Sequence, residues 1–224
     1  KSKKVSDTNK MILAVDLDGT LINTDILYES FWSSLSRDWK TIIVLFTTLL
    51  KGKLFLKNSL KNTSKIDITK LPYNYDVIKY IKQMRSKGFQ VVLITASHQF
   101  FADEISNHLN LFDYSFGSNK FVNLKGKNKA KFLIEKFGNK GFDYIGNSIS
   151  DLEVWKVSKK AITCNASNSL KLKLEKINLN YKHLNTIKIN LSEYCRSIRP
   201  QQWIKNVLIF LPILASHQLE FITI

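Results

Sequence analysis

Four short apolar runs, each stopping at a polar residue and spaced by helical segments, constrain this chain more than any other feature. Met11 to Val15 is unbroken and ends at Asp16. Gln90 to Ala96 carries Val91, Val92, Leu93 and Ile94, then Thr95. Phe142 to Ile145 leads into Gly146-Asn147-Ser148, and Ala161 to Cys164 is the fourth run. A strand with one face in water alternates polar and apolar residues, whereas an unbroken run belongs to a strand covered on both faces. Between the runs, Asp76 to Lys87 places Val77, Ile78, Ile81 and Met84 at helical spacing, and Gly88 stops it. Phe101 to Leu109 and Lys129 to Phe137 repeat the pattern. Strands alternating with helices imply βαβ units and a parallel, doubly wound α/β sheet. Chemistry collects at the carboxyl ends of such strands, where this chain puts Asp16, Thr95 and Asn147.

The interval from Ile22 to Tyr75 is too long for a βα loop. It contains helical material of its own at Ile26 to Leu35 and Trp39 to Leu50, followed by Lys51, Lys53 and Lys57. The expected organisation is a polar tail (1–10), a core (11–21 and 76–168), and a small helical cap (22–75) inserted after the first strand. Residues 169–192 read as a linker, with a basic helix at Lys171 to Lys176 and a strand or connector from Tyr181 to Leu191. Beyond it, Arg196 to Asn206 carries arginine, lysine and Trp203 ahead of Val207 to Ala215, a run of nine uncharged residues. Nine is about half of the ~20 needed to cross a bilayer. Basic residues and a tryptophan before an apolar run suit a cytoplasmic membrane interface.

Composition narrows the class. In 224 residues, Lys+Arg number 34 against 18 Asp+Glu, a formal net charge of +16. That balance favours polyanions: phosphorylated substrates, an anionic membrane or nucleic acid. Only Arg37, Arg85, Arg196 and Arg199 are arginines, and no zinc pattern or recognition motif occurs, so no specific nucleic-acid partner is expected. Cys164 and Cys195 are too few and too far apart for a disulfide scaffold. The first apolar run is too short for a signal peptide. A start at Lys1 and a stop at Ile224, inside an apolar stretch, suggest a piece of a longer protein.

The chemistry-bearing motifs follow the strands in order. Asp16-Leu17-Asp18-Gly19-Thr20 puts two carboxylates at i and i+2, leaving a strand end on one side. One can attack phosphorus while the other handles protons. Gly19 permits the tight turn. Thr95, in Ile94-Thr95-Ala96-Ser97, offers a hydroxyl that can hold a phosphoryl oxygen without adding charge. In Lys125-Gly126-Lys127-Asn128-Lys129, Lys129 is the favoured partner of the nucleophile carboxylate, with Lys125 second. Gly146-Asn147-Ser148-Ile149-Ser150-Asp151 supplies hard oxygen ligands for Mg²⁺.

Taken together, Asp-x-Asp-Gly-Thr, then Thr, then Lys, then Gly-Asn-Ser-x-x-Asp resembles the haloacid dehalogenase superfamily of phosphotransferases over residues 11–168. The resemblance implies a three-layer, Rossmann-like fold with the cap at the family's first insertion point. It implies a phosphatase in which Asp16 is the nucleophile, forming an aspartyl-phosphate, and Asp18 is the general acid and then base. Thr95 and Lys129 would contact phosphate, and Mg²⁺ would sit on Asp16, the Asp18 carbonyl, Asn147 and Asp151. Most members carry Asp where this chain has Asn147, which implies weaker metal binding with Asp151 carrying more of it. Arg199-Pro200-Gln201-Gln202-Trp203-Ile204-Lys205-Asn206-Val207 resembles the opening of UbiA-type membrane prenyltransferases, so residues 193–224 would begin such a domain. The Asp-rich diphosphate motifs of those enzymes are absent, so prenyl transfer is not assigned. The combined expectation is a Mg²⁺-dependent phosphomonoester hydrolase at the cytoplasmic membrane face, acting on a phosphorylated small molecule or lipid-linked substrate. The alternative is a non-catalytic phosphate- or lipid-binding regulatory module.

Overall fold

The structure is a computed structural model that describes residues 11–26, 29, 66–119, 121–178 and 180–184. All of these lie in the first of two units into which the chain divides, 1–186 and 187–224. Strands β1 (Ile12–Asp16), β2 (Gln90–His98), β3 (Tyr114–Ser118), β4 (Phe142–Gly146), β5 (Lys160–Thr163) and β6 (Tyr181–His183) form one sheet. Every pairing is parallel and the order is β3-β2-β1-β4-β5-β6. Helices α1 (Tyr75–Ser86), α2 (Gln99–Leu109), α3 (Lys127–Phe137), α4 (Leu152–Val157) and α5 (Asn168–Ile177) connect them.

Alternate residues of each central strand serve opposite faces. Leu13, Val15, Val91 and Leu93 pack with Val77, Ile81 and Met84 of α1 and Phe101 and Ile105 of α2. Ile12, Ala14, Val92 and Ile94 pack with Leu133 of α3, Val154 and Trp155 of α4, and Leu170 and Leu174 of α5. Two cores, one on each side, explain why residues 12–15 of β1 and 91–94 of β2 are continuously apolar. They make the expected three-layer, Rossmann-like α/β fold. The chain reverses direction across the sheet between β1 and β4, and such switch points open a crevice at the carboxyl ends of the strands.

Local signals set the helix boundaries. Asn74 caps α1 by accepting from the Val77 N–H at 3.4 Å, and Ser167 caps α5 through the Leu170 N–H at 3.3 Å. Strand β2 runs past the expected Ala96 to His98, with a register shift against β3 between Ile94 and His98. Strand β3 itself has no apolar run. It is an edge strand with an exposed Tyr114, so nothing requires its residues to be apolar on both faces.

Within the expected linker at 169–192, the helix foreseen at Lys171 to Lys176 is present, and of the strand-or-connector alternatives from Tyr181 the structure shows a strand; both pack on the core rather than linking away from it. Helix α5 buries Leu170 and Leu174, and β6 adds a sixth strand, pairing Ile162 with Lys182 and Thr163 with His183. The core therefore continues to Leu184, whose N–H donates to the Thr163 carbonyl at 2.8 Å. Near the insertion, Ile22 and Ile26 are fully buried and Ile22 bridges Tyr73, so these ends of the expected 22–75 cap belong to the core. The helices expected at 26–35 and 39–50 lie outside the described residues, Ile26 and Glu29 excepted, as do the 1–10 tail and the 193–224 segment. Among the described residues no helix is long and apolar enough to cross a membrane.

Candidate active site

The end of β1 places Asp16 between β2 and β4, 7% exposed. Past it the backbone turns sharply, with Thr20 N–H bonded to the Leu17 carbonyl and Leu21 N–H to that of Asp16. Gly19 sits at φ +73°, and a Cβ there would collide with the Asn147 amide. The glycine is thus required both by the turn and by the approach of the β4 loop. Asn165, after β5, steadies the same turn by donating to the Gly19 carbonyl at 3.4 Å.

Lys129, near the start of α3 yet only 4% exposed, donates to Asp16 Oδ1 at 2.7 Å. Its Nζ also donates to the Tyr144 hydroxyl at 3.0 Å and lies 3.7 Å from Asp151 Oδ1. The Tyr144 hydroxyl in turn donates to Asp151 Oδ1 at 2.7 Å. Of the two candidate lysines the structure brings Lys129 to Asp16; Lys125 is exposed.

Asp18 is held by a different set of donors. Its Oδ1 accepts from the Ile26 N–H at 2.9 Å, and its Oδ2 from Thr95 Oγ1 at 3.1 Å and Ser97 Oγ at 2.7 Å. Thr95 is fully buried, and its hydroxyl donates to Asp18. Asp151 reaches back into its own loop. Its Oδ2 accepts from the Asn147 and Ser148 N–H groups and from Ser148 Oγ, at 2.8–3.1 Å, so it brackets the loop after β4. Gly146 leaves the room for this, since a Cβ there would lie 2.8 Å from the Asp151 carboxyl.

The Asp16 carboxyl is raised to about 7, by burial first and also by the charges of Asp151 and Asp18, against the lowering effect of Lys129. Asp18 is raised as well, by burial first and then by the charge of Asp25, against its three hydrogen bonds. For Lys129, burial alone would lower the pKa, but the charges of Asp16, Asp151 and Asp18 outweigh it and keep the amine protonated.

The arrangement tests the metal expectation directly. The Asn147 Oδ1 atom is buried without a hydrogen-bond partner, a costly state for a polar atom unless a cation or donor fills the place it faces. The Lys129 amine lies 2.7 Å from Asp16 and 3.7 Å from Asp151, and the charge of Asp18 also acts on it. Among the described residues no three Asp, Glu, His or Cys side chains form a ligand cluster. The hard donors on offer are therefore a carboxylate and an amide rather than a carboxylate cage, and they fit Mg²⁺.

Two residues of this network, Ser97 and Tyr144, have no part in the sequence reading. Ser97 was findable, since it stands at i+2 from Thr95 and so leaves β2 on the same side. Tyr144 sits inside an apolar run and reads as core; only the position of α3 turns its hydroxyl into a bridge.

Comparison with known proteins agrees with this fold. The uncharacterized protein y4nM of Sinorhizobium fredii (strain NBRC 101917 / NGR234) is 33% identical over 205 residues, 91% of this chain and 40% of that protein. The chain thus spans less than half the length of this relative. The HAD family hydrolase t0658 of Salmonella enterica subsp. enterica serovar Typhi superposes with a TM-score of 0.56 at 13% identity, covering 80% of this chain and 69% of that one. A phospho-aspartyl intermediate analogue of phosphoserine phosphatase superposes at 0.50 with 18% identity, over 76% and 95% of the two chains. The profile of the haloacid dehalogenase-like hydrolases matches residues 13–156, which hold Asp16, Asp18, Thr95, Lys129, Asn147 and Asp151, and the chain belongs to that family.

Proposed function

We propose that this chain is a Mg²⁺-dependent phosphomonoester hydrolase working through an aspartyl-phosphate on Asp16. The observation that carries the reading is the pairing of Asp16 with the buried Lys129 at the sheet's switch point, beside a second carboxylate held by its own donors. Lys129 keeps Asp16 oriented and offsets negative charge on an incoming phosphoryl group. Asp16 Oδ2 attacks phosphorus; the P–O bond to the leaving group breaks and its electron pair stays on the leaving oxygen. Asp18, whose pKa is raised, gives that oxygen a proton and then takes one from the water that attacks the aspartyl-phosphate; the P–O bond to Asp16 breaks, releasing inorganic phosphate and restoring the Asp16 carboxylate. Thr95 and Ser97 hold Asp18 in place for both transfers. Asp16, the Asp18 carbonyl and Asn147 would hold Mg²⁺, with Asp151 fixing the Asn147 loop from behind. When bound, the metal supplies charge neutralisation and in-line alignment of the phosphoryl group. The phosphoserine phosphatase captured as a phospho-aspartyl analogue supports a covalent route on this fold.

The 193–224 segment, with its resemblance to UbiA-type prenyltransferases, supports placement at the cytoplasmic face of a membrane and a substrate from prenyl or polyprenyl metabolism or a sugar phosphate. The test of the chemistry is release of phosphate from a soluble aryl phosphate with Mg²⁺. Wild type should turn over and Asp16→Asn should lose at least about a thousandfold, as removal of a nucleophile does. Equal rates would end the proposal. Asn147 favours one second reading, a non-catalytic module that binds phosphate or lipid, because an amide lacks the charge of a carboxylate ligand. Calorimetric titration separates the two: Mg²⁺ binding supports the hydrolase, and no heat at millimolar metal supports the module.

A further inference from the structure

The loop that delivers Lys129 to Asp16 carries a feature that the hydrolase chemistry does not use. Between β3 and α3 the chain makes a tight turn. The Asn119 N–H donates to the Val122 carbonyl at 2.9 Å, and Asn119 Oδ1 accepts from the Phe121 and Val122 N–H groups at 2.9 and 2.8 Å. Leu124 anchors the base of the turn in the core, its N–H donating to Ser118 Oγ at 3.0 Å. The tip so formed holds Phe121 94% exposed, with Val122 beside it. Lys125 and Lys127 follow on the surface. A Cβ at Gly126 would lie 3.8 Å from the Ser150 carbonyl, so this loop adjoins the β4 loop, where Ile149 is 68% exposed.

We propose that this turn is a membrane-docking element: Phe121, Val122 and Ile149 enter the headgroup region of an anionic bilayer, and Lys125 and Lys127 contact its phosphates. An exposed aromatic on a braced turn flanked by lysines is the composition of an interfacial anchor. No Asp or Glu occurs from Tyr114 to Ile134, and the chain carries +16 overall, so a negatively charged surface is the complementary partner. A second copy of the chain would bring like charges together, and a nucleic acid would find no arginine in the loop. Because the turn lies at the carboxyl end of the sheet, docking would turn the Asp16 face toward the bilayer. This deepens the membrane placement proposed above and is independent of hydrolysis.

The test places an environment-sensitive fluorophore on Phe121→Cys in full-length protein with Cys195→Ser; Cys164 is buried. The same label on the exposed Lys173→Cys of α5 is the reference. Vesicles of equal parts phosphatidylcholine and phosphatidylglycerol should shift the emission at 121 to the blue but not at 173, with no shift on pure phosphatidylcholine. In unlabelled protein, Phe121→Ser with Val122→Ser should weaken partitioning onto the anionic vesicles about tenfold. Vesicle binding with no change at 121 would overturn the proposal and assign attachment to another segment. A blue-shifted probe without vesicles would overturn it in favour of the chain, or a second copy, covering the turn. Unchanged partitioning of the double variant would also overturn it. Phosphate release by unlabelled wild type without vesicles is measured separately, so hydrolysis and docking can fail independently.

Discussion

Tyr144 shows how one buried hydroxyl can bind two charged residues into a unit. It accepts from Lys129 and donates to Asp151, so Asp16, Lys129, Tyr144 and Asp151 form one chain of contacts. Burial and the adjoining carboxylates hold the phenol well above its usual pKa, so it stays a donor. Tyr144→Phe keeps the ring against Trp155 but leaves Asp151 Oδ1 with only the distant Lys129. The expected loss is about 1–3 kcal/mol of stability, the penalty for a buried group deprived of its partner. Urea melts of the two proteins would measure it, and a midpoint unchanged within error would show that the bridge contributes nothing. Of the site, Asp16, Asp18, Thr95, Lys129, Asn147 and Asp151 could be picked from sequence because they follow strand ends in order. What could not be picked was which atom faces which. The Thr95 hydroxyl and the Asp151 carboxylate are directed by packing toward protein donors and acceptors, and a motif carries no such direction.

At the scale of elements, the segment after Asn168 is the instructive case. Its lysines suggest a solvated connector, but Leu170 and Leu174, four residues apart, form the stripe that closes one core, and β6 covers the edge of β5. Asn178 strengthens the join by donating to the Trp155 and Ser158 carbonyls at 2.9 and 3.1 Å. A chain ending at 168 should therefore expose an apolar face and an unpaired strand edge and aggregate, whereas one ending at 186 should not aggregate. Size-exclusion chromatography of the two decides it; equal behaviour would restore the linker. Edge strand β3 escapes pattern reading because, covered on fewer sides, it needs no continuous apolar sequence, and for the same reason the pattern from Tyr181 leaves strand and connector both open.

For the molecule as a whole, the raised carboxyls set the direction of its pH dependence. Asp16 goes from 3.8 to about 7 on folding, so between those values the folded state holds a proton that the unfolded chain has released. The stabilisation is complete below the unfolded value and is lost as pH rises through about 7. Asp18 and Asp143, also raised by burial, act in the same direction. Metal-free wild type should lose melting temperature relative to Asp16→Asn as pH rises from 5 to 8. The loss should be equivalent to a few kcal/mol, at roughly 1.4 kcal/mol for each tenfold difference in proton affinity between folded and unfolded chain. Parallel curves for the two proteins would contradict the buried, destabilised state of the Asp16 carboxylate.

The sequence alone determined the central sheet and the order of its motifs, because strands buried on both faces must be apolar throughout and must end where the backbone meets polar solvent. It also determined the family, since an Asp-x-Asp-Gly-Thr turn after such a strand has few other uses. Tertiary structure decided the rest. It selected Lys129 over Lys125, because Lys129 stands in the first turn of α3 with its amine on Asp16, whereas Lys125 lies exposed in the loop before the helix. It brought Tyr144 and Ser97 into the site, and it packed the basic helix and the strand from Tyr181 onto the core. Each of these depends on contacts between residues distant in the chain, and periodicity reports only on neighbours.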